Sequence, residues 1–211
     1  MNSEEKRIIG LTTTSHFLVH LFEGVLPPLI PLLMLEFSTD YFHLGLVVTV
    51  FSYAFGIGSL PSGYLADKVG PRRLITLFLF GAGLLAMAVL PSDSLLHYAI
   101  LMGGIGLFCS TYHPASNTLI SLGIREKGRA FGLHGIAGSL GVAAVPLISA
   151  WVGSAAGWRA PHVLYGVIGI CAGLYSLSIP RYPSAKPTGG SETNSAEAFS
   201  ISYLNLVFYF L

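Results

Sequence analysis

Six long apolar runs dominate this chain, at roughly 8–35, 44–66, 74–91, 95–122, 130–153 and 160–179. Each approaches or exceeds the ~20 residues a helix needs to cross a bilayer core. The runs are continuous rather than alternating segments of ~10 residues, so helices are expected and barrel strands are not. Only 10% of the 211 residues are charged and 53% are hydrophobic, against about 25% charged in a soluble domain. So few charges cannot coat a globule, and lipid is the expected solvent. The expected fold is therefore all-α, a polytopic membrane bundle of six transmembrane helices. A seventh apolar run, 200–211, reads as the truncated start of another helix. A formal net charge of +1 gives no sign of a nucleic-acid partner.

The cations are distributed with a period of two connections. Lys6 and Arg7 precede the first run; Lys68, Arg72 and Arg73 follow the second; Arg125, Lys127 and Arg129 follow the fourth; Arg181 and Lys186 follow the sixth. Ten of the eleven cations thus fall on one side, and only Arg159 on the other. Lys/Arg bias sets orientation, so that side is expected to be cytoplasmic, with the amino terminus inside a multi-pass protein of the cell membrane. The first run contains His16, His20 and Glu23 and lacks a small-residue cleavage site, so it reads as a retained span rather than a signal peptide. Residues 181–199, rich in Ser, Gly, Thr and Pro, read as a cytoplasmic linker. Cys109 and Cys171 fall inside spans and suggest neither a disulfide nor a metal site.

Two spans carry stripes of small residues. The second has Gly45, Thr49, Ser52, Gly56, Ser59 and Gly63 on one helical face, and the fifth has Gly132, Gly135, Gly138 and Gly141 before Pro146. Small faces let helix backbones approach closely in lipid. They are expected to form packing seams, and in a moving protein such seams slide.

Between the second and third runs stands Gly63-Tyr64-Leu65-Ala66-Asp67-Lys68-Val69-Gly70-Pro71-Arg72-Arg73. Asp67 is expected to end the preceding helix, Gly70 to permit a tight turn and Pro71 to begin the next helix. The cations are expected to hold the loop inside against anionic lipid. This stretch resembles the loop between helices 2 and 3 of the major facilitator superfamily, Gly-x-Leu-Ala-Asp-Arg/Lys-x-Gly-Arg-Lys. It matches at Gly63, Leu65, Ala66, Asp67, Lys68, Gly70 and Arg72 and departs at Pro71. The resemblance implies a gating latch here, formed by Gly63, Asp67, Lys68, Gly70, Arg72 and Arg73. It also implies a twelve-helix protein in two halves, each of two inverted three-helix repeats. Residues 1–180 then correspond to an amino-terminal half. Tyr112-His113-Pro114-Ala115-Ser116, with His16-Phe17, is similar to the fosmidomycin-resistance-like branch. That branch often has an Asp four residues after the first His, where this chain has His20. The superfamily's Arg motif in the fourth helix is also missing, since the fourth span has no Arg before Arg125.

The titratable groups inside the spans are few. His16, His20 and Glu23 share one stripe of the first helix, which Pro27 continues. Glu23 lies ~21 Å along the helix from Ile9, well inside the core. A carboxylate there must face a cavity or a partner, which makes it a candidate for proton coupling or substrate contact. His113 precedes Pro114 and shares a face with Asn117. At ~14 Å from Leu122 it is placed to meet His20, ~17 Å from Ile9, near mid-membrane. His134, nearer the start of the fifth span, completes the candidate set, more as structure than as function. His43, His97 and His162 are expected near the outer face, in contact with water.

The leading expectation is a secondary active transporter of a small organic molecule, driven by protons. Export by alternating access follows from the branch resemblance. No nucleotide-binding loop is present, no cofactor is called for, and an enzyme is not expected. An alternative uses His16, His20 and Glu23 as ligands of a divalent metal, either moved across the membrane or held by a membrane metalloenzyme. A further alternative is an inactive truncation, or a half that needs the missing carboxy-terminal half or a second copy.

Overall fold

The computed structural model describes residues 1–180. The expected linker at 181–199, the short run at 200–211, and Arg181 and Lys186 lie outside the described residues. Helix α1 (Ser3–Gly24) opens on a reciprocal cap, in which Asn2 accepts from the Glu5 amide at 2.9 Å and Glu5 accepts from the Asn2 amide at 2.8 Å. The first apolar run does not continue as one straight helix. Pro27 and Pro28 have no N–H for the carbonyls of Glu23 and Gly24. The chain passes through a 3-10 turn, Pro27–Leu29, into α2 (Ile30–Phe37), and the two helices meet at 43°.

Helix α3 (Tyr41–Val69) starts on Asp40, whose carboxylate accepts from the His43 amide at 2.9 Å. Asp67 does not end this helix, contrary to expectation. Helical hydrogen bonding carries on to Val69, and Gly70 makes the turn at φ 92°, where a side chain would be strained. Pro71 then begins α4 (Pro71–Met87), since its missing N–H is harmless at a first helical position. At 17 residues α4 is ~26 Å long, and hydrogen-bonded turns reaching Ser92 extend it. Helices α5 (Leu95–Cys109) and α6 (Tyr112–Gly123) make one crossing, interrupted where Pro114 leaves the Ser110 carbonyl without a helical donor. Helices α7 (Lys127–Ala156) and α8 (Arg159–Leu177) follow, separated by Gly157 at φ 88°. Four crossings are long and apolar enough on their own, and the bent α1–α2 pair is a fifth. Helix α4, with its added turns, packs into the same bundle against α5 and α8.

Helix α1 occupies the centre, packed on α6, α7 and α8, while α4 pairs with α8 and α3 with α5. Buried Phe22 sets its ring edge-to-face against Phe78 and Tyr165, at 6.1 and 6.3 Å. Helices α4 and α8 approach backbone to backbone: a Cβ on Gly166 would lie 2.7 Å from the Gly83 carbonyl oxygen. The small-residue stripe of α3 forms no such seam among the described residues. Nothing lies within 4 Å of where a Cβ would stand on Gly45, Gly56 or Gly63. The opposite face, with Val47, Phe51, Gly58 and Ser62, is the buried one. On α7 the stripe divides. Gly132 and Gly135 are open, whereas Gly138 and Gly141 face α1.

The cationic connections gather at one end of the bundle. The Met1 amine lies 3.5 Å from Glu126, and Glu5 accepts from the Arg125 amide at 3.0 Å. The amide bonds from Arg125 and Asn2 hold the Glu5 carboxyl below its ordinary value of 4.5. Arg7 donates to the Ser178 carbonyl. Arg72 does not reach toward lipid headgroups as expected. It is buried and donates to the carbonyls of Ser176, Leu177 and Ile179 at 3.1–3.2 Å. Ser176 and Leu177 carry orphan acceptors at the negative end of α8, and Ile179 lies just past its cap. Arg73 donates to the Val69 carbonyl at 3.3 Å, and the Lys68 ammonium sits 4.6 Å over the Tyr64 ring. At the other end Arg159 donates to Glu36 at 2.8 Å and to the Ser92 carbonyl at 2.5 Å.

Candidate functional site

Four imidazoles from three crossings converge inside the bundle. Helix α1 carries His16 and His20, one turn apart, with ring centroids 5.0 Å from each other. His113, on the first turn of α6, lies 5.2 Å from His16 and 5.8 Å from His20. His134 of α7 stacks on His16 at 3.9 Å. Space for this stack comes from α7 itself: a Cβ on Gly138, one turn after His134, would lie 2.4 Å from a carbon of the His16 ring. Tyr112 closes the other side, 5.7 Å from His16, and its hydroxyl donates to the Thr12 carbonyl at 2.5 Å.

Hydrogen bonds fix two of the rings. His16 Nδ1 lies 2.7 Å from the His134 carbonyl, and His20 Nδ1 lies 2.7 Å from a Glu23 carboxylate oxygen. Carbonyls and carboxylates accept, so each Nδ1 carries hydrogen and donates it. In the neutral rings each Nε2 then holds a bare lone pair. Glu23 is partly exposed and faces a cavity of about 240 Å³, lined also by Leu26, Val48, Phe51, Ser52, Phe55 and Met102. Its carboxylate is the charged group on that lining. The desolvation penalty expected of an acid in mid-membrane is thus relieved by His20 on one side and the cavity on the other.

The other candidates are placed differently. Asn117 is exposed on α6, and no hydrogen bond ties it to the histidines among the described residues. His134 is buried within the group rather than peripheral to it, and its Nδ1 has no partner. His162, expected in water, is buried: Trp158 offers its carbonyl to Nδ1 and the Tyr98 hydroxyl meets Nε2, both at 3.1 Å. His43 is exposed beside Asp40, whose carboxyl its amide and ring hold below the ordinary value of 3.8. Sequence reasoning missed Phe51 and Phe55, which bring α3 to the cavity, and Gly138, which makes room for His16. Gly138 stands four residues after His134, and that spacing was the available signal. The latch residues Gly63, Asp67, Lys68 and Arg73 are exposed, while Gly70 and Arg72 are buried.

The helical bundle has counterparts among known proteins. A bacterial homologue of the human lysosomal transporter Spinster, in an inward-facing and unoccupied conformation, superposes with a TM-score of 0.81 at 16% identity, over 95% of this chain and 49% of that one. A probable L-galactonate transporter of Escherichia coli (strain K12) is 32% identical over 137 residues, 64% of this chain and 30% of the relative. The multidrug resistance protein MdtG of Yersinia enterocolitica is 26% identical over 177 residues, 81% of this chain and 42% of the relative. The chain thus spans less than half the length of these curated relatives. The family model of the Major Facilitator Superfamily matches residues 12–210, nearly the whole sequence and every crossing except the first turns of α1. The chain belongs to the Major Facilitator Superfamily.

Proposed function

We propose that the chain is the amino-terminal half of a proton-driven secondary transporter that exports a small organic molecule by alternating access. The observation that carries this reading is the Glu23–His20 pair. It is a carboxylate on a cavity wall, hydrogen-bonded at 2.7 Å to an imidazole that connects it to a buried group. Such a pair can exchange a proton with the cavity while the ring beside it keeps the charge compensated. The rings beside it are His16 on the same helix and His113 from α6, and Tyr112 and His134 lie behind them against His16. Families of this kind place substrate sites near mid-membrane between repeats, and the cavity agrees. Export is the direction that the resemblance to the fosmidomycin-resistance-like branch implies. The cation distribution supports a cytoplasmic amino terminus in the cell membrane.

The open small-residue faces of α3 and α7 support the view that this half works with a carboxy-terminal half or a second copy. The latch loop would then report the state of that assembly from the cytoplasmic side. Everted vesicles carrying the full-length protein test the central claim. Glu23→Gln should bring proton-driven uptake to background with the protein still in the membrane. Equal proton-dependent uptake by both proteins removes Glu23 from the coupling role.

A further inference from the structure

We propose that His16, His20 and His113 form a binding site for one divalent transition-metal ion of the zinc class. One ligand nitrogen from each ring lies within 4.8 Å of the other two. Around zinc, with Zn–N bonds of ~2.0–2.1 Å, tetrahedral nitrogens stand ~3.3 Å apart. The rings therefore need to draw together by ~1.5 Å at most, a distance that small rotations of the two histidine torsions cover. Glu23, the third ligand suggested by sequence spacing, is not in this set, because it is engaged with His20 Nδ1. His113, from a different crossing, takes its place.

Two independent observations turn proximity into a site. The first is orientation. His16 and His20 each donate Nδ1–H to an oxygen, one a backbone carbonyl and the other a carboxylate. This is the outer hydrogen bonding that metal-bound histidines use to fix their tautomer and raise basicity. It leaves Nε2 of both rings bare, and neither has another hydrogen-bond partner among the described residues. The second is the donor type. Three imidazoles, with no thiolate among them, suit zinc, copper(II) or nickel rather than magnesium or calcium, which take oxygen ligands. All three rings are only partly buried, so an ion can reach them. Three ligands leave a tetrahedral ion one position for water or an anionic oxygen of a small molecule.

This inference does not rest on the transport reading, since binding requires only the three nitrogens. A metal on Nε2 of His20 and the proton shared with Glu23 occupy different edges of the ring.

The test uses the full-length protein, without a polyhistidine tag, in lipid nanodiscs. Cobalt(II) serves as the optical probe and zinc as the competitor. One cobalt ion per chain is expected, with the visible spectrum of a tetrahedral ion, displaced by zinc. His113→Gln and His20→Gln should each lose the ion, while His43→Gln, at an exposed ring outside the group, should keep it. Glu23→Ala leaves all three ligands in place and should weaken binding ~10–100-fold, the usual consequence of losing an outer partner. No stoichiometric ion, an ion lost in His43→Gln, or an ion retained in His113→Gln would overturn the site. If His113→Gln does not elute as a folded protein, Glu23→Ala decides: unchanged cobalt affinity rejects the arrangement. A failed metal site leaves the vesicle assay with Glu23→Gln intact, and the reverse is also true.

Discussion

His162 and the group around His16 are both imidazoles within the membrane-embedded bundle, and they differ in what remains unused. His162 has both nitrogens bonded, is sealed by Tyr98 and Trp158, and touches no cavity described here. His16, His20 and His113 keep bare nitrogens, and their neighbour Glu23 opens on a cavity. Burial alone therefore does not separate these two settings. Residual bonding capacity beside an accessible space does, and the proposed function rests on that difference.

The largest effect should come from crossing that line. Glu23→Gln should end proton-driven uptake in vesicles, whereas His162→Phe should leave substantial uptake. Loss of transport in both would erase the distinction. Next in size is stability. His162→Ala strands the Tyr98 hydroxyl and opens a void, for a combined cost of about 2–4 kcal/mol. Thermal unfolding in detergent should record it, and a shift indistinguishable from zero would mean that the outer cluster holds nothing together. A subtler probe is Gly138→Ala, whose methyl group would press on the His16 ring. It should cost about 1–3 kcal/mol as overpacking and weaken cobalt binding. Gly135→Ala, one turn away and facing open space, should stay within about 0.5 kcal/mol. The smallest effect sets the acid baseline for reading either histidine group. Glu5 has a lowered pKa, so its contribution is present above 4.5 and is lost as pH falls through the folded value. Melting temperature should drop less between pH 7 and pH 4 in Glu5→Gln than in the parent protein. Identical drops would exclude Glu5.

Much of the bundle was legible because lipid imposes long apolar runs. The cation period also matched which connections share an end, as the Glu5–Arg125 and Arg72–α8 bonds show. The breaks were less legible. Pro27-Pro28 breaks a helix, yet Pro61 and Pro146 sit inside helices that continue. Proline marks a lost hydrogen bond, and packing decides whether the rod bends. At the site, helical spacing aligned His16, His20 and Glu23, but their partners depend on how α6 and α7 lean on α1. That is why the sequence did not show His134 stacked on His16, or Asn117 exposed away from the stack. Arg72 was misplaced for a related reason. A cation near a membrane surface has many possible acceptors in sequence, and only the fold shows that a helix end lies within its reach.

The Arg72 contact joins distant parts of the chain. Its guanidinium starts from the first three-crossing unit and closes on the final carbonyls of the second. Prising α4 from α8 at this end would break three hydrogen bonds of a buried cation at once. The start of α4 is thereby held to the end of α8, and in the proposed transport cycle these two rods would swing together.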